Sequence, residues 1–374
     1  MSTFGEEPAR GLAVKTDLEL TPRDPSSRSD RAIKRDRVRE IADARGPGCS
    51  VLLTSAAAVS WYLDGARVDV APGAAPLAAV LVAPTEDRVH VFSNEVDRLV
   101  TEQLLPDSSL HVVRWDRPLV DAQTAALSIV EHTVVDELRA ARASLLPGEL
   151  SRYRALTGQT AAVVTRVLSS VEPTTSELEL AAVVARELIE IGADPQVLLV
   201  AGESRLAYRH PVPTTALLGQ RAMVVVCARR HGMIANLTRW VRFAPSTSEQ
   251  VDREAQIVEV EAEFFRGTVP GARLDGVLVS GIAGYEIFGF GNDEWTRHHQ
   301  GGPTGYLGRD PRATQFTNDL VVHNQVFAWN PSAFGVKVED TVLLGANGIV
   351  PLTVDPNWPT VSVRGRQRPA VLER

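Results

Sequence analysis

An α+β chain built as two domains is what this sequence predicts, on three observations. Its 374 residues exceed what a single core usually organises. Strand-like and helix-like stretches alternate up to about residue 145, the mark of a small α/β unit. Beyond that point two long helical stretches precede a strand-rich remainder, which suits helices laid on a largely antiparallel sheet. The expected boundaries are a flexible arm over 1–29, a first domain over 30–145 and a second over 146–374.

The arm is polar and ends in "TPRDPSSRSD", with no sustained periodicity. A helix is predicted from about Arg31 to Arg45, stopped by Gly46. "CSVLLTS", "LAAVLVA" and "RVHVFS" read as strands, "NEVDRLVTEQLL" as a helix and "LHVVRW" as another strand. The second domain opens with a helical stretch from Gly148 to Val171. The next helix has a Ser-x-x-Glu start if Thr175 or Ser176 caps it, and Gly192 closes it. Strands follow in "QVLLVAG", "AMVVVCAR", "GMIANLTRWVRF", "QVFAWNPS", "GVKVEDTVLL" and "GIVPLTV", interrupted by a helix over "SEQVDREAQIVEVEAEFFRG".

Composition narrows the function. Hydrophobic content of 44% and charged content of 23% are ordinary for a globular protein. A net charge of −7 supplies no basic field, so nucleic acid is not an expected partner. No apolar run nears the ~20 residues of a membrane helix, and no signal-peptide pattern opens the chain, so a cytoplasmic location without a membrane partner is expected. Two cysteines, Cys49 and Cys227, make neither a disulfide scaffold nor a metal knuckle.

Five stretches carry the functional argument: "YRHPVPT", "GQRAMVVVCARRHGMIANLTRW", "HHQGGPTG", "FAWNPS" and "GVKVEDT". Their order resembles the creatinase/prolidase/aminopeptidase P family, over roughly residues 31–365. "AAAVSWYLDGAR" resembles the opening segment of that family's N-terminal domain. The resemblance implies a small creatinase-like α/β domain followed by a pita-bread domain, and a homodimer. It also implies a dinuclear metal centre, and here the pattern breaks. The five ligand positions fall on Val225, Asn236, Gly302, Asn330 and Glu339, and only the last keeps a metal-binding side chain. Two cations ~3.5–4 Å apart need several carboxylates to bridge them. Neither a metal nor another cofactor is therefore expected.

The remaining candidates follow from residue type and family position. His210 stands where the family keeps a proton-shuttling histidine, and an ordinary pKa near 6.5 suits that task. Glu339 is expected to bind substrate or orient His210; a strand carboxylate paired with Lys337 is the plainer reading. His298 is expected in the pocket and His299 in a structural hydrogen bond, since neighbours on a strand face opposite ways. Arg205, Arg209, Arg239 and Arg309 lie near the landmarks and favour a carboxylate-bearing substrate. Arg229 to His231 form a hairpin turn, where charges are usually solvated. Cys227 shares a strand face with Val225; an inert thiol is the common outcome, and a nucleophile would need a base beside it.

These residues lead to a metal-independent, creatinase-like hydrolase or lyase cleaving a C–N bond in a small polar, carboxylate-bearing molecule. His210, Glu339 and His298 form the catalytic set, and Asn236, Arg239, Asn330, Arg309 and Cys227 line the substrate. An inert pita-bread pseudopeptidase that binds protein or peptide is the alternative. A divergent Xaa-Pro aminopeptidase is a second alternative, which would require metal.

Overall fold

The computed structural model describes residues 26–374, with side chains from Asp30 onward. The expected arm lies outside the described residues as far as position 25. Its last four residues belong to a helix, Ser26–Asp43, which starts about five positions earlier than predicted. Asp24, Pro25 and Ser26 serve equally as turn and as helix-start residues, which explains the late predicted start.

The first domain is a five-stranded sheet ordered β4-β3-β2-β1-β5. Its strands are β1 (Val51–Leu53), β2 (Ala78–Val82), β3 (Asp87–Phe92), β4 (Leu110–Val113) and β5 (Ile129–Val130). β1, β2 and β3 pair antiparallel, whereas β4 and β5 join the two edges parallel. The helix Ala56–Tyr62 begins at Ser55, whose hydroxyl accepts from the Ala58 amide at 3.1 Å.

Two helices open the second domain. Pro147–Leu168 starts on a proline, whose missing N–H costs nothing at the first helical position. Glu177–Glu190 carries the expected capping box: Ser176 accepts from the Glu179 amide, and Glu179 accepts from the Ser176 amide at 2.7 Å. These helices cover β6 (Asp194–Ala201), β7 (Arg221–Arg230) and β8 (Met233–Arg242). β7 and β8 form a ten-residue hairpin that sets Val225 opposite Thr238 and Cys227 opposite Asn236. His231 and Gly232 turn it with φ of 51° and 74°, the signature of a two-residue type I′ connection.

His231 at the tip of that turn is exposed, but its two arginines are not merely solvated, contrary to expectation. Arg229 pairs bidentately with Asp69 of the first domain at 2.7 and 2.8 Å, and Arg230 donates to Gln159 and to the Ile191 carbonyl. A Cβ on Gly232 would stand 2.9 Å from the Tyr306 ring and overlap Ser60, so only glycine fits there.

The second half of the domain carries β9 (Gly301–Pro303), β10 (Val326–Trp329), β11 (Ser332–Ala333), β12 (Val336–Lys337), β13 (Val342–Gly345) and β14 (Gly348–Pro351). Its four-stranded sheet runs β14-β13-β10-β9, and two helices, Ser248–Gly267 and Leu274–Ile287, pack against each other beside it. The predicted single strand over "GVKVEDTVLL" is two strands, β12 and β13. Between them the chain crosses to β8, where Thr238 donates to the Glu339 carbonyl at 2.9 Å and Asp340 bridges Leu237. Glu339 therefore stands at the seam between the two sheets.

Candidate active site

Position 225 has lost all polar function. Val225 is buried with Leu199, Met223 and Trp240 in a small apolar cluster. At Gly302 the space for a ligand side chain is closed: a Cβ would lie 2.7 Å from the Pro311 carbonyl and 2.9 Å from the Ala313 amide. Asn236 is fully buried, and its amide donates to the Ile234 carbonyl at 3.2 Å and to Thr304 at 3.0 Å. Its Oδ1 accepts from Arg309 Nη1 at 3.0 Å. The other arm of the same guanidinium, Nη2, reaches Glu339 Oε1 at 2.6 Å. One arginine thus joins Asn236 and Glu339, two of the positions where the resemblance implies ligands.

Glu339 is fully engaged. Its second oxygen accepts from Thr238 at 3.0 Å and pairs with Lys337 at 3.3 Å. Burial pushes its carboxyl upward, but Lys337 and Arg309, with hydrogen bonds from Arg309 and Thr238, outweigh burial and hold it at about 2. A fixed cation sits where a metal would need carboxylate oxygen, so these residues do not fit a dinuclear centre. Glu339 makes no described hydrogen bond to His210. It anchors Arg309 and Lys337, which departs from the orienting role expected of it.

The three histidines converge. His210 Nε2 and His298 Nε2 are 3.2 Å apart. The rings of His298 and His299 stack at 4.4 Å, and His299 lies 6.1 Å from the His210 ring. The opposite-faces argument fails because both residues precede β9, in a connection without strand alternation. Gln300 shapes that connection: its side chain donates to the His298 and Trp295 carbonyls at 2.6 and 2.9 Å and accepts from Tyr285 at 2.7 Å. Sequence reasoning passed over Gln300, and only the adjoining Gly-Gly pair hinted that this backbone is unusual.

All three rings are neutral at neutral pH. Burial, then Lys337, lowers His298 to about 2; burial, then Arg309 and Arg312, lowers His299 to about 3. His210 is on an exposed loop, and its pKa is also lowered, by partial burial and by Lys337. His299 makes no structural hydrogen bond through Nδ1, which is buried without a partner. His298 Nδ1, Arg309 Nε and Asn330 Oδ1 are buried without partners as well.

The other arginines are committed elsewhere. Arg239, expected against substrate, is 4% exposed and bonds Asp340 and the Thr353 carbonyl at 2.8 and 2.7 Å. Arg205 pairs with Glu177, and Arg209 with Glu294 and Ser332. Cys227 lies in the field of Glu339, Arg309 and Lys337, but burial, then Glu339, pushes its thiol up to about 12, so it is no nucleophile at neutral pH. A cavity of about 330 Å³ meets the site through Thr238, Arg239 and Lys337 and is otherwise lined largely by apolar residues such as Trp240, Val258 and Val371.

No protein-family model and no curated protein matches this chain in sequence. Solved structures do. The prolidase of Pyrococcus horikoshii superposes with a TM-score of 0.71 at 18% identity, over 86% of this chain and 98% of that one. Dipeptidase PepE from Mycobacterium ulcerans gives 0.72 at 15% identity, over 92% and 99%. The Xaa-Pro dipeptidase from Bacillus anthracis gives 0.70 at 14%, over 92% and 100%. With its small α/β domain and the two sheet halves meeting at Glu339, the chain has the pita-bread fold of the creatinase, prolidase and aminopeptidase P family.

Proposed function

We propose that the protein is a metal-independent hydrolase that cleaves a C–N bond in a small, carboxylate-bearing molecule. The observation that carries this reading is the 3.2 Å contact between His210 and His298 beside a fixed cationic pair, Arg309 and Lys337. A neutral His210 removes a proton from water as its oxygen attacks the carbon, and neutral His298 accepts a hydrogen bond from the resulting imidazolium across the Nε2 contact. The same proton then passes to the leaving nitrogen as the C–N bond breaks. Arg309 Nε and the unused Lys337 donors suit a carboxylate, and Asn330 Oδ1 suits an N–H of the same molecule.

The proposal is tested by incubating the protein with N-acylated and N-carbamoylated amino acids in the presence of a chelator, and following amine release by NMR. Turnover that survives the chelator and falls by roughly 10²–10⁴-fold in His210→Gln supports it. Turnover that needs added manganese or cobalt returns the chain to the Xaa-Pro aminopeptidase reading and sinks this one.

A second reading, an inert peptide-binding pseudopeptidase, is favoured by three exposed apolar side chains. Tyr208, Val212 and Phe334, close in sequence to His210 and Asn330, are 60%, 67% and 65% exposed. Peptide binding left unchanged in His210→Gln, without turnover of any compound, would select it.

A further inference from the structure

We infer that His210, His298 and His299 form a binding site for a single divalent transition-metal ion, separate from the family's dinuclear centre. One ligand nitrogen from each ring lies within 4.8 Å of the others. A tetrahedral site with Zn–N bonds of ~2.0–2.1 Å needs nitrogens roughly 3.3 Å apart. The His210–His298 pair already meets that at 3.2 Å. His299 needs a shift of about an ångström or more by that standard, and its ring is only half-buried. None of the three shares a position with Val225, Asn236, Gly302, Asn330 or Glu339.

The chemistry of the donors selects the ion. Three neutral imidazoles suit zinc, cobalt, nickel or copper and not magnesium or calcium, which prefer oxygen. His210 lies on an exposed loop, so the open side of the cluster faces solvent. Three uncharged ligands leave the ion its full double charge, and Lys337, Arg309 and Arg312 add positive potential nearby. Glu339 is neutralised by its own pairs. The fourth position therefore takes an anion, a carboxylate or hydroxide, in preference to neutral water. Nδ1 of His298, the nitrogen away from the His210 contact, is buried without an outer partner, and such partners typically contribute about 10–100-fold in affinity. The site is accordingly weaker than a buttressed three-histidine centre. An ion here takes the lone pairs that the proposed proton transfer needs, so occupancy and turnover exclude each other; that consequence alone rests on the proposed reaction.

The test uses the full chain without a histidine tag, stripped with a chelator and titrated with cobalt(II). Visible d–d bands saturating at about one equivalent per chain, shifted by added acetate and displaced by zinc, are expected. His210→Ala and His299→Ala should each weaken binding by roughly 100-fold, whereas His132→Ala, in the first domain, leaves it unchanged. His210→Ala alters an exposed loop, so it reports even if a substitution of buried His298 unfolds the chain. Absence of a saturable spectrum, or an affinity unchanged in both variants, overturns the site. Because the readout is binding, the outcome is independent of whether any substrate is hydrolysed.

Discussion

Arg309 is the residue that most changes what this site can do. Its guanidinium is 10% exposed and joined to a 2% exposed Glu339 carboxylate, so removing it leaves a buried anion held only by Lys337 and Thr238. Breaking such a pair costs about 3–5 kcal/mol, and the remaining Lys337 places Arg309→Ala near the lower end. Urea unfolding measures it; a loss below about 0.5 kcal/mol would show that the pair is a surface-like contact. Acid stability gives an independent check. Glu339 is depressed from 4.5 to about 2 in the folded chain. Its contribution is complete above pH 4.5 and disappears as pH falls toward 2, because the unfolded state binds the proton first. Arg309, Lys337 and Thr238 face this carboxylate, and the lowered histidines beside them stay neutral until similarly low pH. Glu339→Gln should therefore be less stable at neutral pH and show a shallower loss between pH 4.5 and 2. An unchanged slope would assign that loss to other carboxylates or to buried His298 and His299, which take up protons first in the unfolded state. Glu339 was legible as the surviving ligand; its commitment to Arg309 was not, because a guanidinium 30 residues away leaves no local pattern.

At the scale of elements, strong local signals carried through and weak ones did not. The Ser176 capping box was readable because both partners sit three residues apart, and Ser176→Ala should cost about 1 kcal/mol in thermal unfolding. The helix Leu274–Ile287 gave no such signal. Its sequence "LDGVLVSGIAGYEI" is apolar nearly all round and carries glycines that normally disfavour helix. Packing explains them: a Cβ on Gly281 would overlap the Phe264 ring, and one on Gly284 would meet Val260 and Glu263 at 3.2–3.4 Å. These glycines let two helices approach closely, so Gly281→Ala should destabilise by about 1–3 kcal/mol despite its better helix propensity. A stabilised Gly281→Ala variant would mean that the ring moves aside freely. Likewise the 335–344 stretch reads as one strand from alternation alone, and its break at Val338–Thr341 arises from hydrogen bonds to β8.

For the whole molecule, the two domains are joined by buried charge as well as by apolar packing. Lys34 reaches Asp64 at 2.7 Å and Glu149 at 3.2 Å, and Tyr306 donates to the same Glu149 at 2.8 Å. This network and the Arg229–Asp69 pair hold the β7–β8 turn, and with it the site's hairpin, against the first domain. Asp69→Ala should lower the melting temperature and, through the hairpin, disturb the cobalt spectrum; an effect on neither would make the pair incidental. The homodimer that the family resemblance implies is tested at the same scale: light scattering should give about twice the 40.5 kDa chain mass, and a monomer at working concentration would sink that expectation.

The sequence alone determined the α+β class and most elements, because turn chemistry, periodicity and motif order are local properties of the chain. It also singled out His210 and His298. Tertiary structure decided what occupies the vacated space. The segment after β9 packs Pro311 and Ala313 against Gly302 and carries Arg309 between Asn236 and Glu339, 73 and 30 residues away. It also brought His299 to the other two histidines, since the backbone before β9 follows the bonds of Gln300 and Tyr285 instead of strand alternation. Such placements depend on contacts between distant segments, and no period or spacing along the chain encodes them.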